Sequence, residues 1–133
     1  MSFLRFVLHH SHPDSGLPEG VFRAAYRLRD HAELAVQTRE ELAGVLAWFD
    51  KHLAVPKRFN RSRSKGYYRR KSRGIAWLRD TACEHIGKMH ALARILQASG
   101  CLVTILVEAH PGYIVYEDEY QVIAEPFADT AIR

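Results

Sequence analysis

The longest apolar period in the chain sets the first constraint on its fold. Ile75, Leu78, Ala82, Ile86, Met89, Leu92 or Ala93, and Leu96 recur at three- and four-residue intervals, and Gly100 follows. Side chains at that spacing share one helix face. The pattern therefore predicts a helix over about Gly74–Ser99 that forms the central buried element, with the glycine as its stop.

Shorter signals fill in the rest. Thr38 and Glu41 have capping-box spacing ahead of Leu42, Val45, Leu46, Phe49 and Leu53, which predicts a second helix closed by Pro56. Pro18 suits the first turn of another helix, running to about Asp30. Phe3–Leu8 reads as a buried strand and Leu102–Val107 as a central one. Tyr113–Tyr116 and Tyr120–Ala124 are β-prone runs joined by an acidic turn, Glu117-Asp118-Glu119. The order β-α-α-α-β-β-β implies a two-layer α+β fold: a four-stranded antiparallel sheet with three helices packed on one face. At 133 residues and 47% hydrophobic, residues 1–133 fit one globular domain with a single core.

The segment from Met1 to Leu8 is apolar but short, interrupted by Arg5 and followed by histidines, unlike a signal peptide. No apolar run approaches the roughly 20 residues of a membrane helix. These features favour a cytoplasmic protein without a membrane partner. Cys83 and Cys101 form no C-x-x-C pair and read as buried, reduced thiols.

The net charge of +4 conceals an asymmetry: residues 57–73 carry nine Lys or Arg and no acid, leaving the remainder at −5. Arg58, Arg61, Arg63, Lys65, Arg69, Arg70, Lys71 and Arg73, with Lys57, supply the charge. Arginine is twice as frequent as lysine, and a guanidinium grips phosphate bidentately. Phe59, Tyr67 and Tyr68 are interleaved, and their faces suit stacking on unpaired bases. Ser62, Ser64 and Ser72 add short phosphate donors. The segment also leads directly into the predicted third helix, whose N-terminus would favour anions through its unpaired amides and dipole.

The pattern points to a nucleic-acid-binding module, with RNA or single strands slightly preferred. Arg61, Arg63, Arg69, Arg70, Lys71 and Arg73 would hold phosphates, while Tyr67 and Tyr68 stack. An acidic protein surface is the other partner that such a charge suits. Glu108, Glu117, Asp118, Glu119, Glu125 and Asp129 make the C-terminal third acidic, so a second copy of the chain can also supply it. A homo-oligomer is left open.

Catalytic chemistry is less marked. His85, His110 and Glu108 are the acid–base candidates for an alternative reading as a small RNA-cleaving or phosphoryl-transfer enzyme. The helical stripe places His85 among apolar residues, the setting of a partly buried histidine hydrogen-bonded to a neighbour. His90 lies at the edge of that stripe. His9, His10, His12 and Asp14 form a polar loop without the spacing of a recognised metal site. No metal and no cofactor are expected. Trp48 and Phe49 read as core or core edge.

In element order alone, the chain resembles the RelE/ParE-type toxins. Those are small basic proteins in which a first strand, helices and an antiparallel meander build an RNA- or partner-binding face. The resemblance implies topology; none of the family's catalytic residues has a match here.

Overall fold

In the computed structural model, residues 1–11, 18–55 and 74–126 are described, without the side chains of residues 10, 11, 18 and 19. Strand β1, Phe3–Ser11, is the spine of the sheet. Its side chains alternate: Phe6 and Leu8 face the helices, while Phe3 and Val7 enter a cluster on the opposite face. On one side it pairs with β4, Val103–Glu108, from Phe3↔Glu108 to Leu8↔Val103. On the other side it meets two partners in turn. β3, Ile75–Arg79, pairs at Phe3 and Leu4, and the three-residue β2, Pro18–Gly20, pairs at Val7 and Ser11. β3 then pairs with β6, Gln121–Glu125, and β6 with β5, Tyr113–Glu117. Every pairing is antiparallel, and the five longer strands lie in the order β4-β1-β3-β6-β5.

Helices α1 (Val21–Arg29), α2 (Val36–His52) and α3 (Cys83–Ala98) cover one face of this sheet. Val21, Ala24 and Ala25 of α1 meet Leu42, Leu46 and Phe49 of α2, together with Met89, Leu92, Ala93 and Leu96 of α3. The opposite face has its own core of Phe3, Val7, Ile75, Trp77, Leu106, Val122 and Ala124.

The link from β4 to β5 shows how that second core closes. Glu108 and Tyr113 lie on opposite edge strands, and five Cα steps reach at most about 19 Å. Four strand spacings across a flat sheet already span about 19 Å, before any displacement along the strands. The sheet must therefore curl its edges together around Trp77 and Val122. Gly112 makes the last turn at φ +143°, where a Cβ would collide with the Glu125 carbonyl.

The overall class is the expected α+β, with differences in detail. The predicted helix over Gly74–Ser99 divides into β3, a turn at Asp80-Thr81 and α3. Ile75 and Leu78 have helical spacing because β3 buries side chains on both faces: Ile75 and Trp77 enter one core and Leu78 the other, while Ala76 is exposed. Pro18 belongs to β2, and the first helix begins at Val21. Thr38 is no cap, since α2 starts at Val36 after Ala35 and has no side-chain cap hydrogen bond. The expected four strands become six, counting β2. The expected three-strand meander is also absent: β4 joins β1, and only β5 and β6 form a hairpin. The likeness in element order to RelE/ParE-type toxins ends there.

Candidate nucleic-acid interface

Arg58, Arg61, Arg63, Lys65, Tyr67, Tyr68, Arg69, Arg70, Lys71 and Arg73 all lie outside the described residues, as do His12, Asp14 and Asp129. What is described is the frame from which the basic segment departs and to which it returns. At the departure, Leu53 caps α2 by donating its N–H to the Phe49 carbonyl at 2.8 Å. One residue on, the Ala54 carbonyl accepts from Gln121 Nε2 at 2.7 Å. At the return, Ile75 pairs with Ala124. Gln121 and Ala124 are on the same strand, about 10 Å apart at ordinary strand rise. β6 thus anchors both ends.

Gln121 is buried and held in place by the hairpin turn. Asp118 Oδ1 accepts from the Tyr120 and Gln121 amides at 2.9 and 3.0 Å. Its Oδ2 accepts from the Tyr116 hydroxyl at 3.0 Å and from Gln121 Nε2 at 3.2 Å. Burial alone pushes this carboxyl up, but the four hydrogen bonds outweigh it, and the net shift is below the usual carboxylate value. Arg79 closes the turn from outside, donating to the Asp118 carbonyl at 2.8 Å and pairing with Glu117 at 3.3 Å. In this acidic turn, Asp118 is committed to internal bonds.

Beside the departure point lies a cluster of rings. Trp48 and His52, one helical turn apart on α2, stack at 4.3 Å and 14°. His85 meets Trp48 edge-on at 4.8 Å and stacks on Tyr120 at 4.3 Å. Lys88 Nζ lies 5.6 Å from the Trp48 ring centre, in cation–π range. His85 is 4% exposed, whereas Tyr120 is 37% exposed and His52 is also exposed. The cluster therefore presents π faces and a cation at the surface next to Ala54. The Tyr120 hydroxyl is held above its ordinary value, chiefly by the Glu119 carboxylate.

His85 is the hydrogen-bonded histidine expected from its place in the stripe, and it is more fully buried. Its Nε2 donates to the His52 carbonyl at 2.8 Å. Neither His110 nor Glu108 is among its neighbours there. The His110 amide instead donates to Glu108 Oε1 at 3.4 Å, while the imidazole is exposed. His9 Nδ1 lies 3.5 Å from Thr104 Oγ1, and His90 packs edge-on against Phe6 at 5.1 Å. No three His, Cys, Asp or Glu converge as metal ligands among the described residues. No described helix is long and apolar enough to cross a membrane. Trp48 and Phe49 border or enter the core; Cys83 and Cys101 are free thiols but not the buried pair expected, since Cys83 is exposed at the start of α3 and Cys101 is only partly covered.

Sequence reasoning missed the Trp48–His52 stack, although its i, i+4 spacing was visible, and it missed Gln121 as an anchor. It also passed over Arg5, which is partly buried on β1. Burial pulls Arg5 down to about 10.

Against known proteins, the chain matches no family, no curated sequence and no solved structure.

Proposed function

We propose that the chain is a nucleic-acid-binding module that uses the basic segment 57–73, with RNA or single strands preferred. The observation that carries this reading is the segment itself: nine cations, no acid and three aromatic residues within 17 positions of an otherwise acidic chain. Two features of the frame support it. The residues flanking the segment, Ala54 after α2 and Ile75 at the start of β3, are both bonded to β6, so the segment is joined at each end to the packed sheet. The ring cluster at the departure point adds Tyr120, His52 and Lys88, groups that stack on bases or attract phosphate. The enzymatic alternative draws no comparable support, since His85 is surrounded by rings and bonded to a backbone carbonyl.

Fluorescence anisotropy with labelled single-stranded RNA, single-stranded DNA and duplex DNA, each across a salt series, tests the proposal. Replacing Arg69, Arg70 and Lys71 with Gln should weaken binding to all sequences alike. It should also flatten the slope of log affinity against log salt by about 0.7–0.9 for each phosphate no longer neutralised. Replacing Tyr67 and Tyr68 with Ala should cost about 1–3 kcal/mol per stacked base and leave that slope nearly unchanged. Wild-type protein that binds none of the three probes at low salt would refute the reading. Binding that ignores the tyrosine pair would remove the preference for single strands.

A further inference from the structure

Arg5 lies where the pairing of β1 changes partner. β3 pairs with β1 at Phe3 and Leu4, β2 pairs from Val7, and Arg5 sits in the gap between them. Its Nη1 donates to the Ala76 carbonyl at 3.3 Å, and its Nη2 lies 3.6 Å from where a side chain at Gly20 would begin. A guanidinium has five N–H donors, so one long bond to a neutral carbonyl leaves most of them unused. No carboxylate pairs with Arg5 among the described residues. A partly buried guanidinium whose one hydrogen bond among the described residues goes to a neutral carbonyl still has donors to offer an anion.

Arg5 lines a cavity of about 70 Å³ with Gly20, Val21, Phe6, Phe22 and Met89, and its Nη2 lies on the Gly20 side of that space. One water takes up about 10–15 Å³ of such a volume, so the space admits a small organic molecule or several waters. Gly20 and Val21 are the N-cap and first residue of α1, and no side chain caps that end. The helix dipole and unpaired amides there reinforce the positive charge of Arg5. The remaining walls are mainly apolar. A bare phosphate would surrender its hydration to them with little in return, whereas a carboxylate on a hydrocarbon body matches both parts of the cavity.

We infer that this cavity binds a small carboxylate carried on an apolar body, with the carboxylate on the unused N–H groups of Arg5 and the body against Phe6, Phe22 and Met89. The site is separate from the basic segment, and its test does not involve nucleic acid. The full chain, labelled with nitrogen-15, is titrated with butyrate, with butyramide as the uncharged isostere, and with inorganic phosphate. Butyrate should saturably shift the amides of Arg5, Gly20, Val21 and Ala76, and butyramide should not. Arg5→Met keeps the apolar length and should weaken butyrate by at least about tenfold. If that variant does not fold, Gly20→Val provides the second arm: it retains Arg5, fills the cavity beside it and should abolish the shifts. Absence of a saturable butyrate response would overturn the inference, as would unchanged affinity in a folded variant or phosphate binding as tightly as butyrate.

Discussion

Asp118 accepts four hydrogen bonds at the β5–β6 turn, two from backbone amides and two from side chains. Its carboxyl is held below the ordinary value, so the folded state binds that proton less readily than the unfolded chain. The stability it contributes is fully present above the unfolded value of about 3.9 and is lost as pH falls through the lower folded value. The stability difference between wild type and Asp118→Ala should therefore be flat from neutral pH to about 5, then shrink in more acid solution. Urea melts at a series of pH values measure it, and a difference that grows on acidification would contradict the assignment. The sequence displayed three acids in a row, a pattern that suits a solvated tip or a hard cation. The more specific signal was an Asp placed two residues before Tyr120 and three before Gln121, the Asx-turn arrangement.

Among the elements, β3 was the hardest to read and is the easiest to test. A strand that buries side chains on both faces loses its two-residue alternation, and Ile75, Leu78 and Ala82 then imitate a helical stripe that joins the true stripe of α3. The helical reading makes Leu78 and Ile86 equivalent. In the structure Leu78 is 5% exposed within the helix-side core, whereas Ile86 packs only partly against it. Leu78→Ala should cost about 2–5 kcal/mol in urea denaturation, and Ile86→Ala clearly less. The start of α2 offers a second test. Ala35 has N-cap geometry, at φ −58° and ψ 141°, without a capping side chain, and Thr38 already lies inside the first turn. Ala35→Asp should stabilise the protein by about 0.5–2 kcal/mol, while Thr38→Ala should stay within about 0.5 kcal/mol of wild type. The body of α2 was legible because only one of its faces is buried. Its first residue was not, because the capping-box pattern lay three residues inside the helix that formed.

For the whole molecule, the α+β class could be read from the order of elements, whereas the second core and the strand order could not. Long-range pairing such as β1 with β4 leaves no local mark, and a short link between two edge strands looks like any hairpin turn. The bonding of both flanks of the basic segment to β6 yields a prediction at this scale. Replacing residues 57–73 with a flexible six-residue linker, which spans about 13 Å, should leave the thermal transition cooperative. Net charge should reverse from +4 to −5, so the shortened protein should move from cation to anion exchanger at neutral pH. A variant that fails to fold would show that the segment is part of the core. Finally, β1 is the spine of the sheet, yet its longest pairing is with residues 103–108, about 100 positions later. At ordinary translation rates of about 5–20 residues per second, some 5–20 s separate synthesis of the spine from synthesis of that partner. A nascent chain whose β1 lacks its β4 partner for that long, with Phe6 and Leu8 still uncovered by α3, is a natural client for ribosome-associated chaperones, and its yield should depend on them more than its final stability would suggest.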